Sequence, residues 1–473
     1  MPKKSVKPAK ASGKRRSAPI EEHHLTAAER RADGRKLRDS VPRESHAGWS
    51  PPADRRDPVE IVLASNKGRR PELVPIRHRR MLQSPFAFYR GTAAIMASDL
   101  ARTPSSGLRV QACGDAHLSN FGGFATPERD VVFDVNDLDE TLPAPWEWDL
   151  KRLSASLVLA GRHLQFKAGE NERLARAAAS SYRQHMTSYA LKRVMDIWYD
   201  KIDLKRFLER LPSEKARARV QKRVEQARGR SVAEHDFPKL AEHVGETPRI
   251  KDNPPLIFHP DDLQVAVDSG NVMQALAHYR ESLPEHVRLL FDRFELCDIA
   301  AKVVGVGSVG TTCLIALYMA GAGDPLFLQI KEANVSVLEP YAGKSLHANH
   351  GQRVVVGQRL MQAASDIFLG WTHGSRGRHF YVRQLRDMKL SAIIEGMDGE
   401  LLRAHGESCA WALARAHARS GDAAGIAGYL GSGRTFDEAV AAFSVEYADQ
   451  AERDYKAFVE AHQEGRVEAA EEY

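Results

Sequence analysis

The chain has 473 residues, 43% of them hydrophobic and 27% charged, which is typical of a globular protein with a sizeable buried core. The first nineteen residues hold seven Lys or Arg and no acid, so removing these charges from the total of +6 leaves the rest of the chain at −1. This distribution argues against a basic nucleic-acid-binding domain, and the longest apolar run, residues 313–320, is too short to span a bilayer.

The four cysteines, Cys113, Cys297, Cys313 and Cys409, are scattered and form no CxxC pair. This pattern is typical of neither a disulfide framework nor a zinc site, and it favours a reduced, cytoplasmic setting. We therefore expect no membrane partner and no specific nucleic acid. No motif in the sequence predicts an oligomeric state.

In chain order, residues 1–75 are polar and rich in basic side chains, and they predict a largely disordered leader. Helical spacing covers residues 86–102, and short strands are expected at residues 108–113, 120–124 and 130–135. A helix is expected at residues 150–164, and long, charged helical patterns then continue to about residue 228.

The pattern changes in the second half of the chain. Residues 299–330 are rich in β-branched side chains and punctuated by glycine, which indicates strands, and residues 379–385 predict a further strand. Helical patterns cover residues 352–367, 401–418 and 436–460.

The most informative stretch is CGDAHLSN at residues 113–120, which we call the octet loop. It places Asp115 and Asn120 five positions apart between two predicted strands, so one loop offers a carboxylate and an amide oxygen to one cavity. Phosphoryl transfer needs a carboxylate to orient or deprotonate the attacking hydroxyl, and oxygen ligands for Mg²⁺. Asp137 follows in the carboxylate-rich segment FDVNDLD, residues 133–139. The structural alternative is that these side chains only cap turns, which a lone D-x-x-x-x-N would favour.

The octet loop resembles the H-G-D-x-H-x-x-N loop of aminoglycoside and choline-type phosphotransferases, with a cysteine in place of the first histidine. The resemblance implies that Asp115 is the catalytic base and that His117 braces the loop. It also implies that Asn120 and Asp137 hold magnesium. Asp134 is the competing metal ligand, because the sequence leaves the register of this strand open.

Downstream, Trp148-Asp149-Leu150 is similar to the W-D-L-A helix start of the same families. The resemblance implies that Asp149 supports the catalytic loop, and an aspartate at a helix start is also a natural N-cap. Two polar stretches are interpreted more simply. Residues 77–80 predict a solvated linker, with a clamp for an acidic substrate or phosphate as the alternative. His417, Arg419 and Asp422 predict the cap of a helix end, with a second polar site as the alternative.

A second motif, VGVGSVG at residues 304–310, matches G-x-G-x-x-G. A dinucleotide-binding unit would place a helix directly after these glycines. A kinase-type hairpin would continue as a strand and return with a lysine for the phosphates. Residues 311–317 favour the strand, and residues 326–333 include a lysine in a sequence that resembles V-A-I-K; a plain hairpin with a solvated lysine is the alternative. The predicted nucleotide-binding residues are Gly305, Gly307, Ser308, Gly310 and Lys331.

Kinases pair this lysine with a glutamate on the following helix. Glu339 is the nearest candidate, although it comes earlier than in typical kinases. Residues 352–364, the next predicted helix, contain no acid.

The motif order is unusual, because kinases place the glycine hairpin before the catalytic loop and here it follows by about 190 residues. A circular permutation accounts for this, since domain termini often lie close together. We expect an α+β, protein-kinase-like two-lobe fold with its lobes exchanged in sequence and a hinge near Arg386. The expected parts are a leader at 1–75, a helical lobe with the catalytic loop at 76–298, a glycine-rich β lobe at 299–386, and the rest of the helical lobe at 387–473.

The motifs together resemble a bacterial family named domain of unknown function 2252, over roughly residues 20–460. The resemblance implies a kinase-like fold and supplies no substrate. The blocks that carry it are residues 86–91, 113–120, 133–140, 304–310, 362–371, 381–387 and 414–422.

The leading functional hypothesis is a phosphotransferase that uses ATP, or another nucleoside triphosphate, with Mg²⁺ and an unknown acceptor. Alternatives are a nucleotidyl transferase and a nucleotide-binding pseudokinase. A metal-dependent hydrolase built from Asp115, His117, Asp134 and Asp137 is a further alternative. A nicotinamide dehydrogenase is the last, and it requires a helix rather than a strand after Gly310.

Overall fold

The computed structural model describes residues 25–228, 236–245, 247–268, 270–321, 323–385 and 389–471. Its architecture is α+β, as predicted. The strands are β1 (Arg109–Ala112), β2 (Phe121–Ala125), β3 (Val131–Val135), β4 (Leu142–Pro145), β5 (Ala241–Val244), β6 (Thr247–Ile250), β7 (Ile257–Phe258), β8 (Glu295–Lys302), β9 (Cys313–Met319), β10 (Pro325–Glu332), β11 (Gly370–His373), β12 (His379–Gln384) and β13 (Leu390–Ser391).

The helices of the described residues pack around these strands, and none of them is both long and apolar enough to cross a bilayer. The helices are α1 (Ala27–Ser40), α2 (Pro58–Ala64), α3 (Val74–Met81), α4 (Pro85–Arg90), α5 (Ala93–Leu100), α6 (Trp146–His163), α7 (Ala168–Tyr189), α8 (Val194–Tyr199), α9 (Leu204–Glu209), α10 (Glu214–Arg228), α11 (Phe237–Leu240), α12 (Asp261–Asp268), α13 (Asn271–Ser282), α14 (Glu285–Phe291), α15 (Glu339–Ala342), α16 (His350–Met361), α17 (Gly399–Ser420), α18 (Ala423–Leu430) and α19 (Thr435–Gln463).

The largest sheet is antiparallel, with the strand order β11-β12-β10-β9-β8-β7. Strand β10 is central, and its apolar run is expected of a strand that is covered on both faces. Leu328 and Val382 pack with α13 and α14 on one face. Lys331 pairs directly with Tyr381 across β10 and β12, so both side chains share the other face, where Tyr381 packs with α16.

Two small sheets carry the first motif. Strand β1 pairs with β4, and the octet loop connects β1 to the antiparallel β2–β3 hairpin. Phe121 pairs with Val135 in this hairpin, so the residues that flank the pair come together. The Asn136 amide accordingly donates to the Asn120 carbonyl at 2.7 Å. The register of β2 and β3 therefore places the octet loop beside the segment that contains Asp137.

The helical core surrounds α6, whose residues from Trp146 to Gly161 are all buried. Residues 153–161 are apolar or small, as expected of a helix that is covered on every side, whereas the first turns also bury the charged Glu147, Asp149, Lys151 and Arg152. Helices α7 and α19 pack against it, and the Trp146 ring stacks on Tyr182 with centroids 5.5 Å apart. This core fixes the start of α6, which lies beneath the octet loop.

Residues 25–75 differ from the predicted disordered leader, whereas the basic tail at residues 1–24 lies outside the described residues. Helix α1 begins with a capping box between Thr26 and Glu29, and it packs along α18. At the crossing, Gly34 is buried against the Gly425 carbonyl, where a Cβ would overlap the oxygen. The sequence did not predict this contact, because it depends on small residues rather than on an apolar stripe.

Candidate functional site

The octet loop is held by Asp149 at the start of α6, as the resemblance implied. Its carboxylate accepts the Cys113 amide at 2.6 Å and the Gly114 amide at 2.9 Å. The buried His417 of α17 contacts the same carboxylate, with Nε2 at 3.1 Å, and its Nδ1 lies 2.8 Å from the Tyr182 hydroxyl. His417, interpreted from the sequence as part of a helix end, therefore helps to orient the aspartate that supports the loop.

Asp115 lies in this loop with its side chain 21% exposed. Its Oδ1 accepts a hydrogen bond from Arg152 Nε at 2.6 Å, and Arg152 also donates to the Tyr89 carbonyl at 3.0 Å. The preceding Gly114 has φ +82, and a Cβ there would come within 2.6 Å of the Glu140 carbonyl oxygen, so the turn requires glycine. The loop thus fixes one Asp115 oxygen while the carboxylate stays accessible.

His117 is buried, and its Nε2 lies 3.8 Å from Asp115 Oδ2. Burial lowers the pKa of His117 to about 4, although the nearby Asp115 carboxylate acts in the opposite direction. The imidazole is therefore neutral near pH 7. The low pKa argues against His117 as a general base, and its bracing role stays a prediction.

Asn120 connects the octet loop to the Asp137 segment. Its Nδ2 donates to the Asp115 carbonyl at 2.9 Å and to the Asp137 carbonyl at 3.5 Å. The amide nitrogen makes both contacts, and the Oδ1 of the same amide is the kind of ligand that a hard cation prefers. The structure therefore brings together the predicted base and the two predicted metal ligands.

Lys331 of β10 reaches this cluster from the large sheet. Its Nζ lies 3.3 Å from both Asp137 oxygens and 2.7 Å from Asp139 Oδ2. The Tyr381 hydroxyl donates to Asp139 Oδ1 at 2.6 Å, and the Ser308 hydroxyl is 3.4 Å from Asp139 Oδ2. Asp139 and Tyr381 were not predicted as site residues, although Asp139 is only two positions from Asp137 and Tyr381 lies opposite Lys331.

The charges of this cluster stabilise one another. Burial by itself would lower the pKa of Lys331, but Asp137 and Asp139 raise it well above its ordinary value. Burial would raise the pKa of Asp137, but Lys331, Arg383 and Lys389 hold it below its usual range. The ammonium and the Asp137 carboxylate are therefore both ionised at neutral pH.

The glycine motif forms the connection between β8 and β9, and a strand rather than a helix follows it. This overturns the dehydrogenase alternative, which requires a helix after Gly310. Gly305 and Gly310 have φ of +67 and +86, which favours glycine. A Cβ at Gly307 would lie 3.5 Å from the Arg90 carbonyl oxygen, so the loop approaches α4 closely.

Asp134 does not join the metal ligands. It is fully buried, and its carboxylate accepts from Arg415 at 2.7 Å and from the Ala363 amide at 2.7 Å. Side chains alternate along a strand, and β3 directs Asp134 toward α17, where Arg415 lies. Of the two competing metal ligands, only Asp137 faces the site.

Glu339 does not pair with Lys331, whose carboxylate partners are Asp137 and Asp139. Its Oε1 lies 3.7 Å from His350 Nδ1 instead. Helix α16 presents Arg353 at this place, and its guanidinium donates to the Asp139 carbonyl at 2.9 Å. An arginine-to-carbonyl contact therefore joins α16 to the Asp139 segment.

A cleft of about 570 Å³ lies between the large sheet and the β2–β3 hairpin. The glycine motif and the segment with Asp137 line it, as do the end of β12 and the β2–β3 turn, whereas the octet loop adjoins it behind Asp137. Its polar lining includes Gly305, Ser308, Lys331, Asp137, Arg383 and Gln384. A second cavity of about 220 Å³ behind β2 and β3 is lined mainly by apolar side chains and by none of the predicted site residues. The first cleft is therefore the candidate site.

Within the described ranges, no group of three or more His, Cys, Asp and Glu side chains could hold a metal ion. The hydrolase set is not assembled, because Asp134 is engaged with Arg415. Asn120 and Asp137 could supply two oxygen ligands. Such a set suits Mg²⁺ that is also bound by substrate phosphates and water, because Mg²⁺ commonly takes only one or two carboxylates from the protein.

Comparison with known proteins places the chain in a family. No curated protein and no solved structure matches it. The family described as uncharacterized protein conserved in bacteria (DUF2252) matches residues 69–461, a span that includes the octet loop, Asp137, the glycine motif and Lys331. The chain therefore belongs to this bacterial family, the domain of unknown function 2252.

Proposed function

We propose that the protein is a nucleotide- and Mg²⁺-dependent phosphotransferase with a kinase-like two-lobe fold and exchanged lobe order. One observation carries the proposal. Lys331, predicted to bind phosphate, contacts Asp137, predicted to bind the metal, although 194 residues separate them in sequence. Lys331 and Asp137, each of which could be an ordinary surface charge if considered alone, thus line one cleft with complementary charges.

The connectivity supports the kinase-like fold. In kinases the glycine-rich loop covers the phosphates and the lysine lies on the third strand, followed by a helix. Here the glycine motif lies between β8 and β9, Lys331 is on β10, and α16 follows before β11 and β12. Arg386, the expected hinge residue, lies outside the described residues.

The position of the C-terminal segment supports the permutation. Restoring the usual motif order would join the end of the chain to the region near residue 76. The Ala470 amide donates to the Pro75 carbonyl at 3.0 Å, and His78 Nδ1 lies 2.6 Å from the Glu468 carbonyl. The segment at residues 468–470 and the region near residue 76, which a permutation would join, are therefore adjacent, as the rearrangement requires.

The residues of the cleft and of the adjoining octet loop would have the following roles. Asp115, held by Arg152, would accept the proton of the acceptor hydroxyl. Lys331 and the backbone amides of the glycine motif would bind phosphate oxygens. Asn120 and Asp137 would hold Mg²⁺, which neutralises phosphate charge when bound.

A second candidate, nucleotide binding without phosphoryl transfer or with nucleotidyl transfer, is favoured by one observation. The helix α16 presents Arg353, which contacts backbone carbonyls, where active protein kinases use a glutamate to pair with the lysine. An assay of turnover separates the two candidates.

The test measures thermal stability with ATP and MgCl₂ for the wild type, Asp137→Ala and the exposed-site control Asp54→Ala. A ligand at a hundred times its Kd stabilises by about 2.7 kcal/mol, which gives a clear melting shift. We expect a magnesium-dependent shift for the wild type and control, and none for Asp137→Ala. Absence of any shift with ATP or other nucleoside triphosphates in the wild type would refute the proposal.

Turnover is then measured as phosphate release or transfer with Asp115→Asn. Retained ATP binding with lost turnover supports phosphotransfer. Unchanged phosphate release in Asp115→Asn contradicts the role of Asp115. Nucleotide binding with no turnover of any kind in the wild type supports the pseudokinase alternative.

A further inference from the structure

Arg90, the last residue of α4, belongs to one of the family-like blocks but has no role in the chemistry above. The residue is partly buried, and its Nε is fully buried without a hydrogen-bond partner among the described residues. Such a donor is costly to bury, because it has lost water and gained nothing in exchange.

Other arginines with a buried, unpartnered Nε differ from Arg90. Arg77, Arg353 and Arg415 each donate to the protein through their Nη atoms. The part of the chain that the structure describes offers no side-chain hydrogen bond to the guanidinium of Arg90. An anionic ligand would supply the missing acceptors.

The charges that act on Arg90 include that of the predicted base. Burial lowers the pKa of Arg90, whereas the carboxylates of Asp115 and Glu395 act in the opposite direction. Arg90 in turn contributes to the lowered pKa of His117.

The backbone of the same segment lies between the two motifs. The Arg90 carbonyl oxygen is 3.5 Å from the position of a Cβ at Gly307, in the glycine motif. The neighbouring Tyr89 carbonyl accepts from Arg152, which also holds Asp115. The end of α4 thus links the glycine motif to the predicted base.

We infer that Arg90 binds the terminal phosphate of the nucleoside triphosphate, and this inference rests on the proposed function. The group that passes between a glycine loop and a catalytic aspartate in phosphoryl transfer is the terminal phosphoryl group. A guanidinium with unused donors suits it, because the planar fork matches two phosphate oxygens. Arg90 then distinguishes a triphosphate from a diphosphate.

The experiment measures by calorimetry the Kd of ADP and of a non-hydrolysable ATP analogue, each with MgCl₂. The proteins are the wild type, Arg90→Gln, Arg90→Lys and the control Arg102→Gln, which removes an exposed arginine paired with Asp54. We expect Arg90→Gln to weaken the ATP analogue by about 10- to 100-fold, as for loss of a charged hydrogen bond, and ADP by less than about threefold. We expect Arg90→Lys to fall between the wild type and Arg90→Gln, and Arg102→Gln to match the wild type.

Two results overturn the inference while the proposed function stands: an unchanged affinity for the ATP analogue in Arg90→Gln, or an equal loss for both nucleotides. A wild type that binds neither nucleotide overturns the proposed function and the inference with it. Melting temperatures without ligand identify a variant that has failed to fold. If Arg90→Gln fails to fold, Arg90→Lys answers the question, because a preserved ATP-to-ADP preference in that variant contradicts the need for a guanidinium fork.

Discussion

The shortest contact of Lys331 in the cleft is with Asp139, whose Oδ2 lies 2.7 Å from the ammonium group. Asp137 lies 3.3 Å away, so two carboxylates share one lysine. Their side chains are 28% and 31% exposed, so solvent screens part of the attraction. The single positive charge of Lys331 therefore faces two carboxylates.

Lys331→Met is expected to destabilise the protein by about 1–3 kcal/mol at pH 7, because it leaves two neighbouring carboxylates without their cation. The deficit should shrink as the pH falls toward 4, since protonation removes the repulsion. Urea unfolding at several pH values measures both effects. Lys36→Met, which breaks an exposed pair with Asp33, should change stability by less than about 1 kcal/mol. An equal loss in the two variants would contradict the expectation.

Asp134→Asn and Asp137→Asn are expected to impair different properties, the first stability and the second magnesium-dependent nucleotide binding. Asp134 forms a fully buried pair with Arg415, so its loss should cost about 3–5 kcal/mol while the folded fraction still binds magnesium and nucleotide. Asp137→Asn should lose magnesium-dependent nucleotide binding with a much smaller change in stability. Chemical denaturation and nucleotide titration test the pair of variants. A stable Asp134→Asn protein that cannot use magnesium would reverse the assignment of the metal ligand.

Lys151 should make the free energy of unfolding rise as the pH increases above 7. Burial lowers the pKa of Lys151 to about 7, against 10.5 for an ordinary lysine. Between pH 7 and 10.5 Lys151 is protonated in the unfolded state but neutral in the folded state. Lys151 therefore makes the free energy of unfolding rise with pH in this range, by at most about 1.4 kcal/mol per pH unit. Lys151→Met should flatten this rise between pH 7 and 10 and raise the melting temperature at pH 7. An unchanged slope in denaturation curves would show that Lys151 titrates normally.

Gly34→Ala should loosen α1 from α18. The added Cβ would overlap the Gly425 carbonyl oxygen, and overpacking of this kind costs about 1–3 kcal/mol. We expect a lower melting temperature and faster proteolysis within α1. Gly48→Ala is the matched control, since nothing lies within 4 Å of a Cβ there. If the two variants behave alike, the close contact between α1 and α18 does not contribute to stability.

Local patterns were sufficient for the elements that carry the motifs. The predicted strands at residues 130–135 and 379–385 correspond to β3 and β12, and the helix predicted at residues 401–418 corresponds to α17. The β-branched start of residues 311–317 also indicated β9, and with it the hairpin after the glycines. These predictions succeed because side-chain periodicity and turn residues are local properties.

Side-chain partners were less predictable. Asp134 and Asp137 are three positions apart and chemically alike, yet one is buried against α17 and the other faces the cleft. Glu339 is the nearest glutamate in a helix after Lys331, but Asp139 is the carboxylate closest to the Lys331 ammonium. Such choices depend on strand register and on which helix covers each face.

The sequence alone determined the α+β class, the two motifs and the family to which the chain belongs. Only the tertiary structure decided that Lys331 meets Asp137 and Asp139, that Asp134 pairs with Arg415, and that the Arg90 Nε is buried without a partner in the described structure. The physical reason is that motifs and periodicity are short-range features of the chain. A buried charge, in contrast, takes its partner from whatever the packing of distant segments brings within a few ångströms.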